Sequence, residues 1–285
     1  MLLALDVGNT QIFGGVFKED KLLAKFRGTS CSATSDEFGT FFKNVLRENG
    51  IEPGEIKELA ICSVVPDRIY PLHQASLKYF GLEPFLLQGG IKTGLNIKYK
   101  NPQEVGADRI ANAIAASGMF PEKDLVIVDL GTATTFCAVS KRKEYLGGVI
   151  MPGLRISMEA LASRTAKLPR VEIARPAELV GKTTVDSIQS GLYYSSLLAI
   201  KGISAKIKSD YFSGDALVIG TGGFSKLFED AGLFDRVIPD LVLLGIAAAV
   251  RLNKGRLMGI APGTARQGGA DATQFRQSGQ RPASA

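Results

Sequence analysis

Apolar residues open the chain in three short runs, 1–7, 12–17 and 22–26. Polar or glycine-bearing turns separate them, one being Lys18-Glu19-Asp20-Lys21. Such spacing predicts a three-strand meander. Thr34 then stands three residues before Glu37, the signature of a capping box. Phe38, Phe41, Phe42, Val45 and Leu46 follow at helical spacing, so an amphipathic helix is expected, ending near Asn49-Gly50. Residues 59–65 read as a buried strand, 67–80 as a helix and 84–87 as a strand. Pro102 opens a further helical stretch with Ile110, Ala113 and Ile114 on one face. The pattern then restarts. Runs at 125–130, 134–139 and 145–150 predict a second meander, helices are expected near 154–164 and 184–206, and 216–219 reads as a strand. A helix starts after Gly223, and 241–251 is a buried helix.

The restart has a marker. Asp6-Val7-Gly8-Asn9-Thr10 closes the first strand, and Asp129-Leu130-Gly131-Thr132-Ala133-Thr134 closes its counterpart 123 residues later. That offset is too long for a solenoid repeat and suits two similar α/β domains. The expected division is 1–120, 121–261 and a tail, 262–285, without Val, Ile, Leu or Met and expected to be disordered. Alone, the first turn is compatible with an ordinary β-turn. Paired across a cleft, two such turns can cradle phosphates on backbone N–H groups, with Asp beside them to hold Mg²⁺ directly or through water.

Three more segments carry candidate chemistry. Val218-Ile219-Gly220-Thr221-Gly222-Gly223 is a strand entering a glycine turn, without the full dinucleotide spacing. Gly181-Lys182-Thr183-Thr184 resembles the end of a phosphate-binding P-loop, but Pro176 stands where its first glycine belongs, so that reading is rejected. Gly106-Ala107-Asp108-Arg109 places an acid and a base at a helix start, which reads either as helix-end charge or as a general base beside an anion anchor.

Composition trims the possibilities. The 285 residues include 45% hydrophobic and 22% charged side chains, ordinary for a globular protein. Three cysteines without a CxxC pair argue against a disulfide framework or structural zinc, and a lone His73 leaves no multi-histidine metal site. Net charge is +6, with Lys141-Arg142-Lys143 read as a hairpin turn, so nucleic acid is not expected as a partner. No apolar stretch approaches the roughly 20 residues of a membrane span, and the apolar N-terminus lacks a basic leader. A cytoplasmic location is expected.

Taken in order and spacing, Asp6–Thr10, Gly106–Arg109, Asp129–Thr135, Gly147-Gly148-Val149-Ile150-Met151-Pro152-Gly153 and Gly220–Gly223 resemble the type III pantothenate kinases. These belong to the superfamily of acetate and sugar kinases, heat-shock ATPases and actin. The resemblance covers roughly residues 1–255. It implies two duplicated actin-like (ribonuclease H-like) α/β domains, with mixed five-stranded sheets around a central cleft. It implies ATP-dependent phosphorylation of pantothenate, the first step of coenzyme A synthesis, in a homodimer that uses Mg²⁺ with ATP and a monovalent cation, K⁺ or NH₄⁺. By the same resemblance Asp6, Val7, Gly8, Asn9, Thr10, Gln11, Ile12, Phe13 and Thr132 would bind ATP, with Asp6 near the Mg²⁺. Asp108 would accept the hydroxyl proton, and Tyr99, Gly106, Ala107, Arg109 and Thr184 would bind pantothenate, Thr184 near the dimer interface. Asp129 would hold the monovalent cation. Two rival functions share the fold: a catalytically inactive transcription accessory factor, and a sugar kinase of the superfamily. The retained Asp6, Asp108, Arg109 and Asp129, and the lack of a basic recognition helix, weigh against the first.

Overall fold

The computed structural model describes residues 1–30 and 33–257; the expected tail lies outside the described residues. Residues Met1–Asn253 form one compact unit. The chain runs β1 (Leu2–Val7), β2 (Gln11–Lys18), β3 (Lys21–Thr29), α1 (Ser35–Glu48), β4 (Glu58–Ser63), α2 (Pro66–Phe80), β5 (Phe85–Leu86), β6 (Asn96–Ile97) and α3 (Ala107–Met119). It continues through β7 (Leu125–Leu130), β8 (Ala133–Val139), β9 (Glu144–Pro152), α4 (Leu154–Arg164), α5 (Thr184–Tyr211), β10 (Leu217–Thr221), β11 (Arg236–Val237) and α6 (Leu241–Leu257).

The strands form two mixed sheets, ordered β3-β2-β1-β4-β5 and β11-β10-β7-β8-β9-β6. In each, the first strand of a meander is central, antiparallel to the next strand and parallel to a later one: β1 with β2 and β4, β7 with β8 and β10. The first sheet has the five strands expected. The second has six, because β6, a two-residue strand from the first half of the chain, pairs parallel to β9 at Asn96↔Glu144 and Ile97↔Tyr145.

Side-chain alternation explains the layering, since neighbours along a strand face opposite sides. In β1, Leu3, Leu5 and Val7 enter a core with Phe38, Phe42 and Leu46 of α1 and Leu72 of α2. The alternate residues Leu2 and Ala4 face the other way, into a core that includes Ile110 and Ile114 of α3 and Leu243 and Ile246 of α6. β7 repeats this: Leu125 and Ile127 join that shared core, while Val126, Val128 and Leu130 pack with Ile188, Leu192 and Ile200 of α5. Helices α3 and α6 therefore form a common apolar layer for both sheets. They meet closely, because a Cβ on Gly245 of α6 would collide with the Ala111 carbonyl of α3.

Local signals act as expected. The Thr34 N–H donates to the Glu37 carboxylate at 2.7 Å, and the Glu37 N–H returns to Thr34 Oγ1 at 3.3 Å, closing the capping box. Lys141–Lys143 form the turn between β8 and β9, with Lys143 at a φ of 60°. Thr183 caps α5, its hydroxyl accepting the Asp186 N–H at 3.1 Å.

Candidate active site

The alternation that packs β1 and β7 also aims their last inward residues. Asp6 follows Leu2 and Ala4, and Asp129 follows Leu125 and Ile127, each on the inner face at the carboxyl end of a central strand. That is where open α/β sheets hold ligands. Both carboxylates line one cleft of about 570 Å³. Asp108, in the first turn of α3, lines it too.

The turns after the two strands are built alike. Gly8 N–H donates to the Gln11 carbonyl at 3.0 Å, and Gly131 N–H donates to the Ala133 carbonyl at 3.1 Å. Gly8, Asn9, Thr10, Gln11 and Phe13 line the cleft from one side, and Gly131, Thr132 and Thr135 from the other. The third glycine segment arrives as well: Thr221, Gly222 and Gly223 line the cleft, with Gly222 at a φ of +87°. Even without that φ, a Cβ there would strike Asp129 and the Leu130 backbone. Val7 and Ile12 pair with each other across β1 and β2, and both side chains are fully buried in the outer core. Any part they take in binding is through the backbone.

The electrostatics are dominated by three carboxyls in a confined space. Burial raises the pKa of Asp6 well above the usual carboxylate range, the Asp108 and Asp129 charges raise it further, and Arg27 and a Cys62 hydrogen bond oppose them. Burial, helped by Asp108, pushes Asp129 up to about 6, against a 2.8 Å hydrogen bond from Asn112 Nδ2. Asp108 is raised by burial too, and its Oδ1 accepts the Arg109 N–H at 2.7 Å, which opposes the shift. Three acids that repel one another call for a cation. Among the described residues no group of three or more His, Cys, Asp or Glu stands close enough to hold a metal ion by itself. Oxygen donors of this kind suit a hard cation that completes its shell with phosphate and water ligands.

Beside the cleft, Arg109 is buried, with 6% exposure. Its Nε donates to Cys137 Sγ at 3.4 Å, as does the Tyr145 hydroxyl at 3.3 Å, and a Tyr99 hydrogen bond adds to the group. Nη2 of Arg109 is buried without a partner, so one strong donor is left for an anion. A Cβ on Gly148 would press on this guanidinium and on the Phe136 backbone, which accounts for the glycine. Gly106 and Ala107 stand at the start of α3, Gly106 as its N-cap.

Thr184 is not brought to the cleft. It lines a second hollow of about 970 Å³ between α4 and the start of α5, with Arg164, Lys182 and Leu192. Arg27, Asn112, Arg155 and Phe224 are site neighbours that no sequence motif marked; Arg27, Arg155 and Phe224 line the cleft, and Asn112 holds Asp129.

The fold has solved counterparts. A crystal structure of a Campylobacter jejuni protein ascribed to the Baf family of transcriptional activators matches with a TM-score of 0.57 at 19% identity, over 89% of this chain and 99% of that one. The activator of the 2-hydroxyisocaproyl-CoA dehydratase from Clostridium difficile, solved with bound ADPNP, matches with a TM-score of 0.51 at 13% identity, over 93% of this chain and 99% of that one. The two sheets and their shared helical layer place the chain in the actin-like fold of ATPases and sugar kinases. The family model for type III pantothenate kinase matches residues 2–206. The type III pantothenate kinase of Legionella pneumophila (strain Corby) is 56% identical over 254 residues, 89% of this chain and 99% of that protein. The chain belongs to the type III pantothenate kinase family.

Proposed function

We propose that the cleft transfers the γ-phosphoryl group of ATP to the hydroxyl of pantothenate, with the residues in the following roles. The turns at Gly8–Gln11 and Gly131–Thr132 bind the ATP phosphates, with Asp6 toward the accompanying Mg²⁺. Bound with ATP, that ion offsets phosphate charge. Asp108 orients the pantothenate hydroxyl and takes its proton as the new P–O bond forms. Its raised pKa supports this role, since a base with pKa closer to neutral accepts a proton more readily. Arg109, with its unpartnered buried donor, holds the pantothenate carboxylate, and Tyr99 flanks it. Asp129 takes a monovalent cation, K⁺ or NH₄⁺, which relieves its repulsion with Asp108 and Asp6. Most of the rate gain comes from positioning and charge compensation.

The observation that carries the reading is the pair of inward strand-end acids, Asp6 and Asp129, joined by Asp108 over one cleft. Thr184 lies in a different hollow of the same chain, so its proposed contact with pantothenate requires a shared site in which the Thr184 of one subunit completes the pocket of another. A homodimer is therefore part of the proposal, as are the two actin-like halves, 1–120 and 121–261. No helix among the described residues is long and apolar enough to cross a membrane, and a cytoplasmic location is proposed.

A coupled assay tests the reaction: ATP with pantothenate, against a panel of sugars. Turnover with pantothenate and none with sugars is expected. Preferential turnover of a sugar, or none of any substrate, overturns the assignment.

A further inference from the structure

The cleft carries a charge imbalance. Three carboxylates, Asp6, Asp108 and Asp129, already face it. A nucleoside triphosphate adds more negative charge in the same space. During transfer that charge spreads over the equatorial oxygens of the moving phosphoryl group, where a fixed cation from the protein lowers the barrier. Two arginines line the cleft, Arg27 and Arg155.

Arg27 is the one fixed in direction. In the β2–β3 ladder Phe17 faces Leu22, but a β-bulge at Val16/Phe17 shifts the register so that Val16 faces Ala24 and Phe13 faces Arg27. Without the bulge Phe26 would occupy that place. The Arg27 guanidinium lies 4.1 Å over the Phe13 ring, and Nη1 donates to Gln11 Oε1 at 3.4 Å. Both anchors belong to the strand that leaves the first phosphate turn. Among the described residues no carboxylate lies within ion-pair distance of Arg27. It acts on Asp6 through space, lowering that carboxyl's raised pKa. The side chain is exposed, as a group that meets a ligand in an open cleft must be before the ligand arrives.

We propose that Arg27 is a γ-phosphate ligand that stabilises the charge of the phosphoryl group in transit, and that Phe13 is the positioning residue that aims it. The proposal rests on the kinase reading of the same cleft. In the step, the bond from the γ-phosphorus to the β,γ-bridging oxygen breaks and its electron pair leaves with ADP. A new bond forms from the pantothenate hydroxyl oxygen, and the hydroxyl proton passes to Asp108. Arg27 keeps its own protons throughout and donates two hydrogen bonds to non-bridging oxygens, a geometry its planar fork suits and a lysine does not.

Three variants test this: Arg27→Ala, Arg27→Lys and Phe13→Leu. Arg27→Ala should lower kcat by roughly 10²–10³-fold, the range for loss of one donor aimed at developing charge. The KM for pantothenate should move little, and millimolar guanidinium should restore part of kcat in Arg27→Ala while leaving the wild type unaffected. Arg27→Lys should fall between. Phe13→Leu should give a smaller kcat loss that guanidinium does not repair, because Arg27 is still present. In parallel, Kd values for ADPNP and ADP are measured. The wild type should prefer ADPNP, and Arg27→Ala should lose that preference. A kcat for Arg27→Ala within twofold of wild type, or an unchanged ADPNP-to-ADP ratio, overturns the proposal. If the wild type fails to phosphorylate pantothenate, the substrate reading falls, and the nucleotide ratio alone decides the role of Arg27.

Discussion

Asp108 and Asp129 line the same cleft from different elements, α3 and β7. Both are acids held above the usual carboxylate range by burial, yet one is hydrogen-bonded by a helix N–H and the other by Asn112. Asp108→Asn is expected to cost about 10²–10⁴-fold in kcat while nucleotide binding survives, and steady-state kinetics with a nucleotide titration read both. In the wild type the acid limb of kcat/KM should lie above the ordinary carboxylate range if Asp108 is the base, as proposed, because it must then lose its proton to work. Stability runs the opposite way. A carboxyl whose folded pKa exceeds its unfolded one binds protons better when folded, so stability is lost as pH rises from the unfolded toward the folded value. Asp108→Asn removes that loss, and its melting temperature at neutral pH should equal or exceed that of the wild type. If Asp129 holds the proposed monovalent cation, Asp129→Ala should flatten a K⁺ activation curve. A KCl titration that activates variant and wild type alike would remove Asp129 from the cation site.

At the level of elements, α3 links the chemistry to the core. It carries Asp108 and Arg109 at its start, Asn112 one turn on, and buried residues nearly throughout. Its contact with α6 depends on Gly245 lying against the Ala111 carbonyl. Gly245→Ala should therefore force the helices apart, costing about 1–3 kcal/mol by chemical denaturation and lowering kcat through Asp108. Much of this frame was legible in the sequence. The capping box, the two meanders and the strand-end acids are local patterns: β1 and β7 are buried on both faces, so they stand out as unbroken apolar runs that each end in an acid and a glycine turn. The two-residue strand β6 was not legible, since Asn96-Ile97 has no alternation to read. Nor was Arg27. A plain hairpin through Lys18–Lys21 would have set Phe26 across from Phe13, and a single bulge decides otherwise. Arg155 and Asn112 are placed by tertiary packing, and no spacing in their own segments marks them.

For the whole molecule, α5 is the element that one chain leaves incompletely covered. Ile188, Leu192 and Ile200 are buried, whereas Leu198 is 62% exposed. Leu161, which lines the second hollow, is exposed as well, and so are Leu179, Val180 and Val185, close in sequence to its lining residues Gly181 and Thr184. Unpartnered apolar surface of this kind marks contact sites. If two chains meet here, activity should fall on dilution, and Leu198→Asp should yield a monomer with little pantothenate turnover. Light scattering checks this directly: an active wild-type monomer of 30.4 kDa would refute the shared pocket. The parallel pairing of β6 with β9 has a further consequence for dissecting the gene. A break at Pro121 divides the sequence at its repeat, yet it sends β6 away with the first fragment and leaves β9 with a bare edge at Glu144 and Tyr145. The apolar layer of α3 is taken from the second sheet in the same cut. Bare edges and uncovered sheet faces aggregate. Each fragment made separately should thus be insoluble, whereas the two made together in one cell should reassemble and recover kinase activity, so the break point could serve as a split reporter.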